Sequence, residues 1–267
     1  MNPTHSLLAR IALGLALLGA PGCVDDNKEV YFEAEKLWID ERYPEAVTKL
    51  MVVSERASDD DLAARALFRL GEIHYLNLEE PDKAIDYFSR AVAQGGDQEL
   101  HLAAHNYIAD IYLNATANYD LAILQYQRII NEYAGKVAED EYRAKIGQAY
   151  FAKGNYAQAE IEYTELLNKF PNTPMKEDIL YKIANCKFIS GESEDALKLF
   201  LTLLKKDPGG RYEYDMRLAV AILYEEMDRL DDALKAYREM KKQWPNKELI
   251  SRKIESVIKR KEKKVTR

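Results

Sequence analysis

The sequence predicts an all-α solenoid of six repeated units closed by a C-terminal helix. A small residue recurs at Ala34, Gly71, Ala109, Gly147, Ala184 and Ala221, spaced 37 or 38 residues apart. An alanine recurs with the same period at Ala46, Ala84, Ala122, Ala159, Ala196 and Ala233. Four residues after each of these alanines stands Leu50, Phe88, Tyr126, Tyr163, Phe200 or Tyr237. Self-similarity at a fixed period of this size marks a repeat array. No single unit of such an array can bury its own apolar face, so neighbours must stack.

The first segment stands outside the array. Arg10 precedes the apolar run Ile11 to Ala20, which is too short to span a bilayer as a helix. Small residues follow, and then Cys23, in the order of a secretory signal peptide. The stretch Leu17-Leu18-Gly19-Ala20-Pro21-Gly22-Cys23 resembles the lipobox of bacterial lipoproteins. Ala20 stands where Leu is commoner, and Pro21 is unusual there. The resemblance implies that residues 1–22 are a signal peptide, that Cys23 becomes a lipidated N-terminus, and that residues 23–26 form a short tether. The other cysteine, Cys186, falls on an apolar helix face and is expected to be a buried thiol.

The six units run over about 27–60, 64–98, 102–136, 140–173, 177–210 and 214–247. The first helix is expected to begin near Glu29. In unit 1, Leu50 replaces the aromatic, as suits an end unit. Units 2 and 3 carry extra residues in their turns, Glu79-Glu80-Pro81-Asp82 and Ala117-Asn118-Tyr119-Asp120. Pro171, Pro208 and Pro245 close the last three units, because proline stops a helix. A small residue at a crossing lets two antiparallel helices approach, and the aromatic fills the space beside it.

These positions together resemble the tetratricopeptide repeat, whose usual period is about 34 residues. The resemblance implies helix–turn–helix units and a right-handed superhelical solenoid. In that family the first helix of each unit lines a concave face where partners often lie. Carried over residue by residue, the fifth position of the units supplies Tyr31, Phe68 and Tyr181 to that face. The ninth supplies Glu35, Glu72, Asp110 and Asn185, and the twelfth supplies Trp38, Tyr75, Phe151 and Phe188. The aromatics are candidate anchors for a partner segment. The lysine and asparagine clamp that some members use for acidic tails is missing, and the three acids are expected to repel such a tail.

Residues 248–267 end the chain. Leu249, Ile250, Ile254, Val257 and Ile258 make a helical stripe that can cap the open end of the array. Eight basic and three acidic residues lie in this segment, against a net charge of −7 for the whole chain. The basic run 259–267 is expected to be a solvated end, with contact to anionic headgroups as the alternative. The overall charge excludes nucleic-acid binding as the default function.

The sequence has no phosphate-binding loop, nucleophile elbow or cysteine cluster. His101 and His105 share a helix face, but Leu102 stands where a metalloprotease needs glutamate. No catalytic residue, metal, cofactor or small-molecule substrate is expected.

A lipid-anchored array of six such units is similar to the outer-membrane assembly lipoprotein D family. Its members start their repeats soon after the acylated cysteine and carry motifs such as Phe170-Pro171-Asn172-Thr173-Pro174. That resemblance implies a periplasmic scaffold that helps β-barrel proteins into the outer membrane. The secretin pilotins match nearly as well, and the periplasmic coordinator of the Tol–Pal system is a third relative. A purely structural tether of a motility or secretion complex also fits. The expected partners are barrel-assembly machinery, or secretin, pilus or motility components. Val24 follows Cys23 in place of the aspartate retention signal, so the outer membrane, facing the periplasm, is the expected location.

Overall fold

Six turns repeat one backbone solution. Each places a single residue at positive φ: Glu41 (61°), Glu79 (56°), Ala117 (52°), Gly154 (82°), Gly191 (81°) and Asp228 (61°). This left-handed residue reverses the chain after one helix and lets the next begin. In the three-residue turns the following amide donates back to the last turn of the helix. These bonds are Arg42 to Leu37, Asn155 to Tyr150, Glu192 to Lys187 and Arg229 to Tyr224, at 2.8–2.9 Å.

The helices so joined are seen in a computed structural model that describes residues 26–242 and 247–265. The first helices of the pairs are α1 (Asp26–Ile39), α3 (Asp60–Leu76), α5 (Gln98–Asn114), α7 (Glu139–Ala152), α9 (Lys176–Ile189) and α11 (Glu213–Glu226). The second helices are α2 (Tyr43–Arg56), α4 (Pro81–Gln94), α6 (Tyr119–Glu132), α8 (Tyr156–Lys169), α10 (Ser193–Lys206) and α12 (Leu230–Lys241). A last helix, α13 (Lys247–Val265), follows them. No strand occurs among the described residues, and each helix packs chiefly on its neighbours in the chain. The result is an all-α superhelical repeat fold.

Several boundaries have local causes. Asp59, Asp97, Asn118 and Asn155 cap α3, α5, α6 and α8, accepting from the amides of Asp61, Leu100, Leu121 and Gln158. Pro44 and Pro81 stand in the first turns of α2 and α4, where a missing N–H costs nothing. α1 is already helical at Asp26, three residues before the expected start near Glu29. Asp26 and Glu29 both lie in its first turn, where carboxylates oppose the positive end of the helix dipole.

The periodic residues form the seam. Both alanine and glycine series are buried in every pair, as are Leu50, Phe88, Tyr126, Tyr163, Phe200 and Tyr237. Contact between the two series is direct. A methyl on Gly71 would meet the Phe88 ring at 2.7 Å, and one on Gly147 would meet the Tyr163 ring at 2.4 Å. Cys186 is buried beside Tyr163, and burial raises its thiol to about 11, so it acts as a small apolar filler.

α13 closes the array against α12. Ile250 and Val257 are fully buried against Leu230, Leu234, Tyr237 and Met240, with Ile254 and Ile258 packed alongside. Leu249, expected in the same stripe, is exposed instead, because its neighbour Ile250 takes the inward register. The basic run is largely solvent-exposed, as expected, and through Val265 it continues the helix. Arg260 donates to Asp228 at 2.9 Å, and to the Glu225 carbonyl at 3.0 Å. Lys264 pairs with Asp228, and Lys261 with Asp231. Acids in and after the last turn thus hold the end of the capping helix.

Candidate partner-binding face

The first helices present their fifth, ninth and twelfth positions along one side of the array. Leu113 is buried there and Gln148 is exposed; every other residue of the set is half-buried. Tyr31, Trp38, Phe68, Tyr75, Phe151, Tyr181, Asn185 and Phe188 are all among the half-buried ones. Cys23 lies outside the described residues.

The aromatics fall into local groups. Phe68 meets Phe88 and Tyr107 edge-on, with centroids 5.3 and 5.8 Å away, and Tyr75 meets Tyr107 at 6.3 Å. Tyr181 stacks on Tyr212 at 4.0 Å and leans on Phe200. Phe188 meets the same Phe200 at 6.4 Å. Phe151 meets Tyr156 edge-on at 5.1 Å. Phe68, Tyr75, Phe151, Tyr181 and Phe188 thus each rest against another aromatic ring.

The acids of the face are not free to repel a ligand. Arg69 grips Glu35 with two bonds of 2.7 and 2.9 Å, and also pairs with Glu72 at 2.5 Å. Its guanidinium lies 4.2 Å from the centre of the Trp38 ring, whose N–H donates to Asn77 at 3.1 Å. Glu72 also accepts from the Tyr107 hydroxyl at 3.0 Å. Burial raises its carboxyl above the ordinary value, in spite of Arg69. Burial, and then Glu35, raise the Tyr31 phenol to about 12. Asp110 accepts from the Tyr126 hydroxyl at 2.6 Å and from Lys145 at 2.9 Å. The expected acidic cluster is thus divided between two ion-paired networks, Glu35 and Glu72 sharing Arg69 and Asp110 paired with Lys145, which weakens the charge argument made from the sequence.

The residues that neutralise it, Arg69 and Lys145, were missed because they occupy the sixth position, just past the fifth. A signal existed. Glu35 to Arg69 is 34 residues and Asp110 to Lys145 is 35, one repeat less a helical turn. That spacing brings a ninth position opposite the sixth position of the next unit.

The second half of the face is built differently. Ala144, Phe151, Tyr181, Phe188, Leu218 and Ile222 are apolar. Between them stand Gln148 and Asn185, one repeat apart, and neither side chain is bonded within the described residues. Lys182 packs its ammonium 5.8 Å from the Tyr163 ring, and burial holds it below its ordinary pKa.

The two histidines separated by one turn have unlike surroundings. His101 bonds the Gly95 carbonyl at 2.7 Å, while His105 is buried with Tyr133 beside it. No group of three metal-ligating side chains occurs among the described residues. None of their helices is long and apolar enough to cross a membrane.

A family model described as the tetratricopeptide repeat matches residues 40–99, 74–141, 144–211 and 181–248. The chain belongs to the tetratricopeptide-repeat family.

Solved structures repeat the fold at low identity. The C-terminal part of a TPR protein from Cytophaga hutchinsonii superposes with a TM-score of 0.63 at 16% identity, over 84% of this chain and 86% of that one. PilW, a widely conserved type IV pilus biogenesis factor, superposes at 0.53 with 14% identity, over 88% of this chain and 99% of its own. YrrB, described as a TPR protein with an unusual peptide-binding site, gives 0.52 at 15% identity, over 78% and 96%. No curated protein matches the chain. As a member of this family the chain is a protein–protein interaction scaffold, and no catalytic family matches it.

Proposed function

We propose that this repeat protein is an envelope scaffold, tethered to a membrane through acylated Cys23, that binds partner segments along its concave face. The observation that carries the binding mode is the pair of unbonded amides, Gln148 and Asn185, among braced aromatics. An amide offers both a donor and an acceptor, which suits a peptide backbone. Phe151, Tyr181 and Phe188 bury the segment's side chains without first having to be ordered. The first half of the face, with its acids already engaged, contributes shape and aromatic area more than charge.

Within that reading, outer-membrane protein assembly is the preferred setting, on the resemblance to the assembly lipoproteins. A pilotin or structural tether for a secretin, pilus or motility complex is the alternative. Likeness to PilW at 14% identity supports the fold alone and does not rank the two.

Photocrosslinking in cells tests both. A crosslinkable residue at Phe151 is compared with one at exposed Lys205 on α10. Capture of barrel proteins or their assembly core at Phe151 supports the preferred setting, and capture of a secretin or pilus component supports the alternative. Capture only at Lys205 removes the concave face as the working surface. Replacing Asn185 by Ala leaves the braced rings in place and is expected to weaken capture at Phe151.

A further inference from the structure

We propose that the open outward side of α1 seats on the lipid bilayer beside the anchor, so that the array rises from the membrane on its first helix. This rests on the lipoprotein reading of Cys23. Among the described residues no helix precedes α1. Its Phe32 and Ile39 are 70% and 73% exposed, the highest among the large apolar side chains of the described residues. They are seven residues apart and therefore share one side of the helix, two turns apart. Buried Ala34 marks the opposite side.

The charges around that stripe suit a headgroup layer. Lys28 and Lys36 are exposed and stand on the same side as Phe32 and Ile39. Lysines flanking an aromatic and an aliphatic residue can sink their stems and keep their ammoniums at anionic headgroups. Glu29 lies at the stripe's edge, exposed Asp40 and Asp26 stand off it by a quarter-turn or more, and Glu33, on the next face, is held by Lys49. A second copy would meet this stripe with lysines of its own, a poor match for a two-fold contact. Cys23 stands three residues before α1, a reach of about 10 Å at ~3.4 Å per residue. An acyl chain there would hold the stripe at the membrane surface. At the far end Arg260, Lys261 and Lys264 of α13 are engaged by Asp228 and Asp231.

The test uses the full lipidated chain in vesicles of phosphatidylethanolamine and phosphatidylglycerol that contain spin-labelled quencher lipid. A fluorophore is attached at Lys36→Cys, or at Lys205→Cys as control; buried Cys186 is spared. Quenching several-fold stronger at position 36 is expected, falling to the control level when Phe32 and Ile39 are both changed to Ser. Equal quenching at both positions, with the protein still on the vesicles, overturns the seating and leaves the anchor reading intact. Copy-to-copy crosslinks at position 36 that vanish with Phe32→Ser would assign the face to a second copy and also overturn it. A mature chain without acyl mass on Cys23 removes the anchor reading and this one together.

Discussion

Gly147 shows how strongly one side chain can be specified. Gly to Ala inside a helix ordinarily stabilises by about 0.5–1 kcal/mol. At Gly147 the new methyl would collide with the Tyr163 ring at 2.4 Å, and the ring is locked in the seam. Overpacking of that kind costs about 1–3 kcal/mol. Gly147→Ala is therefore expected to lower the urea midpoint, although Ala is the better helix former. A second residue-scale expectation concerns pH. Burial raises Glu72 above its ordinary carboxylate value of 4.5, so the folded state holds that proton more tightly than the unfolded chain. Stability from this site is then present at low pH and declines as pH rises through the raised value. Glu72→Gln keeps an acceptor for Tyr107 and Arg69 but has no proton to lose. The melting temperature of the variant relative to the parent should rise from about pH 4 to pH 7. A relative Tm that falls over that range would contradict the assignment.

At the scale of the element, the turns explain why the array tolerates differing periods. Four-residue turns after α3 and α5 and three-residue turns elsewhere all use one left-handed residue, so an added residue does not disturb the seam. Two of those residues are glycine and four are not. For an L-residue the left-handed region costs about 1–2 kcal/mol, partly offset by the greater freedom that glycine has when unfolded. Ala117 gains nothing in return, whereas Asp228 also binds Arg260. Ala117→Gly is expected to stabilise by about 0.5–1 kcal/mol, read as a raised urea midpoint with an unchanged slope.

For the whole molecule, contacts that run mainly between neighbouring helices make stability local. Ile250→Ala opens the α12–α13 seam and should cost about 2–5 kcal/mol there. Hydrogen exchange is expected to accelerate in α11 to α13 and to stay unchanged in α1 to α4. A uniform loss of protection would instead mean that the thirteen described helices open as one unit. Local stability also bears on the proposed function, since one half of the face could bind a segment without the other half rearranging.

By itself the sequence determined the architecture. A small residue and a ring must meet at every crossing, so their positions recur with the period of the fold, and Gly71, Gly147, Phe88 and Tyr163 were readable as packing partners. The intermediate burial of most fifth, ninth and twelfth positions follows the same period, because position within a unit sets how deeply a side chain sits. The tertiary structure alone decided what those side chains touch. Arg69 reaches Glu35 in the preceding unit, Lys145 reaches Asp110 in the same way, and Asp228 receives Arg260 from α13. Such pairings join residues 30 or more positions apart, and only the stagger between neighbouring units brings them within a bond length. For the same reason an apparent acidic patch became a set of ion pairs, and an exposed basic tail became a helix paired with Asp228 and Asp231.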